Sequence, residues 1–340
     1  MAAEPLNVMQ KKRTPSSGSK HDYMSMAPYY WPDSTKPNGM PFLSRDGEMY
    51  PESRTDHDGL RLQQTIARVK TLSYAWYFTG EAKYAERATQ LLRVFFVDTA
   101  TRMNPNLQFA QAIMGVTEGR SFGLIDTRTL PDLVDAIRIL EGASAWTRAD
   151  DAALTTWCRQ FLTWMLESKN GREERATANI HGVFYDAQVA ALALFVGDSA
   201  LARETLDASA KARIASQIDA DGKQQRELAR TRPLHYTLFN LEAFTMLAEL
   251  ARQVSVDLYH YTGPSGGGIE KAMRFAAPYA NPKVEFPTKD VAPIAGEAYL
   301  IPLRRTAAAY KDAELARDIL FLPAELRASD RTRFEFPGQP

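Results

Sequence analysis

The sequence is poor in the features that mark several large classes of protein. Its 340 residues include one cysteine, Cys158, so no internal disulfide can form and no cysteine-based zinc motif exists. Lysine plus arginine and aspartate plus glutamate each number 41, so no net charge draws the chain to nucleic acid or to an anionic membrane. No apolar run is long enough to cross a bilayer. We therefore expect neither nucleic acid nor a membrane as a partner, and any anionic ligand must be bound by a local cluster of charges.

Several chemical motifs are missing as well. The chain has no His-Glu-x-x-His, no Gly-x-Ser-x-Gly, and no phosphate-binding or dinucleotide glycine pattern. A metal site would require His181 and His235 to meet, together with a carboxylate such as Asp186 or Glu227. We expect no metal and no cofactor.

Helical periodicity dominates the chain from about residue 60. Leu62, Ile66 and Val69 follow a 3.6-residue period, Gly80 suits the end of that helix, and Thr147 suits the N-cap of a later one. Asn170-Gly171 predicts a break followed by a loop. Further helices are predicted at about residues 84–95, 129–146, 184–195, 199–218, 235–253, 269–277, 297–310 and 312–320.

A weak internal repeat indicates how these helices are arranged. Residues 77–87 and 194–204 both show a helix that ends at glycine, an acidic residue, and a new amphipathic helix. Recurring hairpins with almost no strand signal predict an all-α fold, an (α/α)n toroid or incomplete barrel. We predict a flexible segment over residues 1–20 and a single domain over residues 21–340. The first residues do not form a signal peptide, and we expect that a native leader has been removed.

Residues 21–60 are too irregular for regular structure and too aromatic for a disordered tail. They predict a long ordered loop segment lying across the helical scaffold, as site-lining loops often do. Its aromatic run includes Tyr30 and Trp31, which either pack internally or form a platform for a sugar ring.

Two stretches carry the residues that are best suited to catalysis or ligand binding. Glu227 to Tyr236 contains three arginines, a histidine and a tyrosine, with His235 and Tyr236 predicted in the first turn of a helix. The second stretch contains Asn179, His181 and Tyr185 at a loop-to-helix junction. A carboxylate pair for glycoside hydrolysis is one interpretation, because Asp126, Asp186 and Glu227 also lie at helix or loop edges.

The other interpretation is β-elimination on a uronic acid polymer. Neutral donors such as Asn179 and His181 can hydrogen-bond the uronate carboxylate and stabilise the enolate-like intermediate. Tyr236 can remove the C5 proton if a cation such as Arg230 lowers the pKa of its phenol, and the same phenol can protonate O4.

Several motifs together resemble the alginate lyase family, and more closely its polysaccharide lyase family 38 branch. The resemblance covers about residues 20–280 and rests on His21-Asp-Tyr-Met-Ser25, Ala27-Pro-Tyr-Tyr-Trp-Pro-Asp33, Asn104-Pro-Asn-Leu107, Gly119-Arg120, Asn179-x-His-Gly182 with Tyr185-Asp186, and Glu227 to Arg232 with His235-Tyr236. It implies an α/α toroid and metal-independent cleavage of polyuronates.

Carried over to this chain, the resemblance implies roles for individual residues. Tyr236 resembles the base and acid, Arg230 the group that tunes it, and His181 and Asn179 the carboxylate neutralisers. Gln111 and Arg120 match positions that face the groove, and His235 would lie beside them as a further substrate contact, as would Tyr185, Tyr30 and Trp31. One departure is Ile180, where relatives commonly have a second asparagine.

Stereochemistry narrows the expected substrate. If one tyrosine is both base and acid, H5 and O4 must lie on the same face, as in β-mannuronate and β-glucuronate but not in guluronate. We expect a carbon–oxygen lyase for mannuronate-rich alginate, with glucuronan as the close competitor. A hydrolase or a glycan-binding protein that has lost catalysis are the alternatives. We expect a monomer that works in the periplasm or is secreted.

Overall fold

The structure, a computed structural model, describes residues 3–55 and 57–340. Within these residues the protein is built almost entirely from helices, which confirms the predicted all-α class. The α-helices in chain order are α1 (Asp58–Thr79), α2 (Ala82–Leu92), α3 (Leu130–Leu140), α4 (Arg148–Glu167), α5 (Lys169–Arg175), α6 (Ile180–Phe195), α7 (Ser199–Ser209), α8 (Ala215–Gln217), α9 (Gln225–Leu228), α10 (Pro233–Arg252), α11 (Ile269–Ala276), α12 (Glu297–Tyr310), α13 (Ala313–Arg317) and α14 (Ala324–Ser329).

The chain divides into two compact units. Unit 1 comprises Met1–Ala176 and Ala191–Ser199, and unit 2 comprises Thr177–Ala190 and Ala200–Pro340. No helix within the described part of the chain combines the length and the apolar character that a membrane span requires.

Unit 1 is organised around α1, which packs against α2 and α3. The buried residues of α1 include Leu62, Ile66 and Val69, the positions that the helical period had predicted. Gly80 ends this helix in the left-handed conformation at φ 70°, which glycine adopts without steric cost. Thr147 caps α4 by accepting a hydrogen bond from the Asp150 backbone, as predicted.

Short strands in unit 1 were not predicted. Strand β1 (Met24–Met26) pairs in parallel with β4 (Phe109–Ala112), and β2 (Tyr30–Trp31) pairs antiparallel with β3 (Leu43–Ser44). The interpretation of residues 21–60 as free of regular structure was therefore wrong at these positions. Strands of two to four residues are too short to show an alternating pattern, and β1 finds its partner more than eighty residues away.

The predicted break at Asn170-Gly171 was also wrong. Both residues lie in the first turn of α5, where the Ser168 side chain accepts a hydrogen bond from the Gly171 backbone. A Cβ atom on Gly171 would lie 1.7 Å from the Met165 carbonyl oxygen. The glycine therefore marks a close approach of two helices rather than a turn.

The N-terminal segment predicted to be flexible contains buried residues. Val8 is buried, and Lys11 forms a buried ion pair with Asp58 at 2.8 Å. Residues 1 and 2 of that segment lie outside the described residues.

Unit 2 is organised around α10, which packs against α9, α11 and α12. Phe184 of α6 contacts Phe239 of α10 with ring centroids 4.9 Å apart. The first turns of α6 and α10 carry the two sequence stretches in which site residues were predicted.

Candidate active site

The predicted site residues fall into two groups, one in each unit. Asn179, His181 and Tyr185 lie at the start of α6 in unit 2, and Arg230, His235 and Tyr236 lie at the start of α10 in the same unit. The second group, in unit 1, consists of Tyr30, Trp31, Gln111 and Arg120.

The first turn of α6 is capped from two directions. The Asn179 side-chain oxygen accepts a hydrogen bond from the His181 backbone at 3.2 Å, and the Glu227 carboxylate accepts one from the Ile180 backbone at 3.0 Å. The cap uses the side-chain oxygen of Asn179, so the side-chain N–H groups of this residue take no part in it. Ile180 is only 1% exposed and belongs to the core.

A buried ion pair holds the chain just before this turn. Asp186 binds Arg213 through two bonds of 2.7 and 3.1 Å, and Arg213 also donates to the Thr177 carbonyl at 2.6 Å. Gly182 lies directly beside this guanidinium, where a Cβ atom would come within 2.2 Å of the nearer nitrogen. Glycine at position 182 therefore gives Arg213 the space to fix the segment that carries Asn179 and His181.

Arg213 lies in a π-helical segment, Ala210–Ile214, that follows α7 directly. Such segments change the direction of the side chains that follow them and are frequent at functional sites. Asp186, which had been considered as a catalytic carboxylate, is instead occupied by Arg213 and by the Ser209 hydroxyl at 2.8 Å.

The Arg230 guanidinium lies over the Tyr236 ring. Its central carbon is 3.9 Å from the ring centroid, well inside the range of a cation–π contact. Tyr236 is 4% exposed, so this contact is formed in a largely desolvated environment. A cation held against a phenol stabilises the phenolate form, which is the form that can accept a proton.

Glu227 connects the two stretches electrostatically. Burial raises the pKa of its carboxyl, while the bond from Ile180 and the charges of Arg230, His181 and Arg226 oppose that rise. Its carboxylate thus lies within electrostatic reach of both Arg230 and His181. Sequence reasoning considered Glu227 as a hydrolytic carboxylate or a metal ligand and missed this role.

His235 is a neutral group at neutral pH. Burial, together with the smaller effect of the charges of Arg232 and Arg230, lowers the pKa of its imidazole to about 4. Its ring stacks on Phe239 and packs edge-on against Tyr236 at 5.2 Å. A neutral imidazole at this place can exchange hydrogen bonds with a sugar but adds no positive charge.

A buried amide network joins α10 to the Asn179 turn. Asn240 donates to Gln217 at 3.1 Å and to Gln224 at 2.8 Å. Gln217 in turn donates to the Asn179 carbonyl at 3.4 Å, and Gln224 donates to the Thr237 carbonyl at 3.2 Å. The same side chains therefore set the positions of Asn179 and of the helix that carries Tyr236.

In unit 1, Gln111 is the centre of a polar network. Its backbone has φ 51°, a strained conformation for a residue with a side chain, and strain of this kind often occurs at functional sites. Its side chain donates to Asp126 at 3.1 Å and accepts from Arg120 at 2.8 Å. Asp126 also accepts from the hydroxyls of Tyr23 and Ser25, so this carboxylate anchors the network.

The aromatic residues of unit 1 pair with arginines. The Arg120 guanidinium lies 5.2 Å from the Tyr30 ring centroid, and the Arg45 guanidinium lies 5.1 Å from that of Trp31. Trp31 also donates its ring N–H to the Glu48 carbonyl at 2.9 Å. Tyr30 therefore lies beside the network of Gln111, whereas Trp31 is held by its own hairpin.

The described residues, 3–55 and 57–340, contain no group of three histidine, cysteine or acidic side chains that could hold a metal ion.

Tyr185, a predicted substrate contact, is 2% exposed and lies in the interior of unit 2. Arg226 donates to the carbonyls of Ala178 and Ser216 and so supports the loop before α6.

Comparison with known proteins identifies the family of the chain. The alginate lyase family profile matches residues 7–286. The crystal structure of an alginate lyase from Bacteroides ovatus at 1.60 Å resolution is 35% identical in sequence, and the match covers 99% of this chain and 90% of that chain with a TM-score of 0.94. No curated protein matches the chain significantly. The resemblance inferred from the motifs is thereby confirmed, and the chain belongs to the alginate lyase family.

Proposed function

We propose that the protein cleaves 1,4-linked polyuronates by β-elimination, with mannuronate-rich alginate as its preferred substrate. The observation that carries the proposal is the contact of Arg230 with the Tyr236 ring at 3.9 Å, in the unit that also presents Asn179 and His181. This set contains a tuned base and neutral donors for a carboxylate, which are the two requirements of the reaction.

The reaction has two stages in this proposal. Hydrogen bonds from the Asn179 amide and from His181 reduce the negative charge on the uronate carboxylate, which makes the C5 proton more acidic. Tyr236 removes that proton, and the electron pair left at C5 forms a carboxylate-stabilised, enolate-like intermediate.

In the second stage the intermediate collapses. The electron pair forms the C4–C5 double bond, the C4–O4 bond breaks, and O4 takes the proton back from Tyr236. The products are a new reducing-side chain bearing an unsaturated uronate and a free hydroxyl on the leaving chain, and the enzyme returns to its starting protonation state.

The expected preference for mannuronate over guluronate rests on this single phenol. Tyr236 can serve both steps only when H5 and O4 lie on the same face of the ring, as in mannuronate and glucuronate. Glucuronan is therefore the competing substrate. The roles of Gln111 and Arg120 as substrate contacts belong to the same proposal, as does action in the periplasm or outside the cell, where a long polymer can reach the enzyme.

A carboxylate-pair hydrolase is less well supported by the contacts. The oxygens of Asp186 bind Arg213 and Ser209, and those of Asp126 bind Tyr23, Ser25 and Gln111. Of the three carboxylates considered, this leaves Glu227, one oxygen of which accepts from the Ile180 backbone, without a partner for a catalytic pair. A general acid and a general base both need an oxygen directed at the substrate or at a water molecule.

The test is a panel of polymannuronate, polyguluronate and glucuronan, followed by ultraviolet absorbance of the new double bond. Polymannuronate should give the fastest rise in absorbance. Substitution Tyr236→Phe should lower kcat by roughly 10²- to 10⁴-fold, the usual contribution of a positioned proton-transfer group.

Tyr259→Phe is the matched control, since Tyr259 is another buried tyrosine of unit 2, bonded to Glu249 at 2.8 Å. Wild-type activity in Tyr236→Phe, or saturated products from the wild-type enzyme, would refute the proposal.

A further inference from the structure

The N-cap residue of α10 does not cap the helix with its side chain. Arg232 is the N-cap residue, and arginine carries only donors, so its side chain cannot accept a hydrogen bond from the helix. Pro233 is the first helical residue and has no backbone N–H. The next backbone donors, on Leu234 and His235, immediately precede Tyr236 and need an acceptor from elsewhere.

That acceptor is Asp290, on the loop between α11 and α12. Its two carboxylate oxygens each accept one bond, from the Leu234 and His235 backbones, both at 3.1 Å. A negative charge at this end of a helix is also favourable, because the N-terminal N–H groups carry partial positive charge.

Two neighbouring contacts fasten the same loop to the same turn. The Val291 backbone donates to the Thr231 carbonyl at 3.1 Å, and the Arg232 guanidinium donates to the Pro293 carbonyl at 3.3 Å. Residues 290–293 thus hold the chain on both sides of Pro233.

The held turn separates the two members of the proposed catalytic pair. Arg230 lies before it and Tyr236 at its end, and the Tyr236 backbone donates to the Arg232 carbonyl at 2.9 Å. If this turn loosened, the 3.9 Å contact between Arg230 and the Tyr236 ring would change with it. Because an additional carboxylate near a site for a polyanion is electrostatically unfavourable, its presence calls for a specific reason.

We propose that Asp290 is a positioning residue for the elimination: it fixes the first turn of α10 and thereby holds Tyr236 against Arg230. This inference rests on the proposed function of Tyr236. Asp290 lies beyond residues 7–286, the part of the chain that the family profile matches, and it is 55 positions away from His235 in sequence.

The experiment compares Asp290→Ala and Asp290→Asn with Glu285→Gln, which removes one negative charge from an exposed position on the same loop. Steady-state kinetics on polymannuronate are measured at a temperature where circular dichroism shows each variant folded. Asp290→Ala should lower kcat roughly tenfold to a hundredfold, the effect of a misplacement of about 1 Å. Its KM should stay within about twofold of wild type, because the lost interaction is not with the substrate.

Asp290→Asn keeps one acceptor oxygen and should lie between Asp290→Ala and wild type, whereas Glu285→Gln should match wild type. A purely structural role would lower the melting temperature and leave kcat of the folded variant unchanged, and that result would overturn the inference. A raised KM with unchanged kcat would overturn it too. Asp290→Asn decides the question if Asp290→Ala does not fold.

The two proposals fail in different ways. A wild-type enzyme that releases no unsaturated product from any polyuronate would remove the proposed function and this inference together. An active wild type whose Asp290 variants keep full kcat would remove this inference alone.

Discussion

Replacing Gly182 by alanine tests how the site in unit 2 is held together. Gly182 lies in the first turn of α6, where intrinsic helix propensity alone would favour alanine by about 1 kcal/mol. The structure predicts instead that alanine at this position destabilises the protein. An added Cβ atom would lie 2.2 Å from a terminal nitrogen of Arg213 and 2.4 Å from the Thr177 carbonyl oxygen.

The magnitude follows from what must move. Relief of the contact requires Arg213 to leave the Thr177 carbonyl and its paired carboxylate, Asp186, and both charged side chains are less than 10% exposed. Breaking a buried ion pair costs roughly 3–5 kcal/mol, which exceeds the propensity gain of about 1 kcal/mol. We therefore expect Gly182→Ala to lower the free energy of unfolding by roughly 2–4 kcal/mol.

Urea unfolding followed by circular dichroism measures this loss, and a double-mutant cycle with Arg213→Ala identifies its cause. In the Arg213→Ala background the added methyl group no longer breaks the ion pair. The double variant should therefore lose less unfolding free energy than the sum of the losses of the two single variants. The kcat of Gly182→Ala should fall as well, because the same contacts place Asn179 and His181. A variant as stable as wild type, or losses that add fully, would refute this account of the glycine.

Three further predictions concern pH, binding and helix capping. The pKa of His235 is about 4 in the fold and near 6.5 when unfolded, so the unfolded chain binds the proton more tightly between these values. Stability should therefore fall as pH drops from 6.5 towards 4, and His235→Gln should flatten that dependence in urea midpoints measured across this range; an unchanged slope would contradict the assignment. Asp126→Asn should raise KM for polymannuronate more than it lowers kcat, because it loosens Gln111, a proposed substrate contact. Asp132→Asn, in a half-buried ion pair of unit 1, should leave both unchanged. Thr147→Ala should cost about 1 kcal/mol in unfolding free energy with no change in kcat, and a loss of activity would show that α4 acts on the site.

Sequence reasoning worked best where the relevant interactions are local. The end of α1 at Gly80 and the cap of α4 at Thr147 both depend on residues within one helical turn. It was wrong at Asn170-Gly171, since the turn preference of that pair was overridden by the Ser168 cap and by close packing against Met165. It also missed the strands of unit 1, whose pairing depends on residues far apart in the chain.

The amino-acid sequence alone determined the helical class and the family, because both are recorded in local periodicity or in short motifs, and it indicated the residues to which we assign the proposed elimination. Only the tertiary structure decided which carboxylates are bound by other groups of the protein. Asp186 pairs with Arg213, Asp126 accepts hydrogen bonds from Gln111 and its neighbours, and Asp290 caps the start of α10. Each of these pairings joins segments distant in sequence, and a charged side chain finds such a partner only when folding brings the two together and removes the water between them. The stretch from Glu227 to Tyr236 thus contains the proposed catalytic pair, while the groups that hold it in place come from the rest of unit 2.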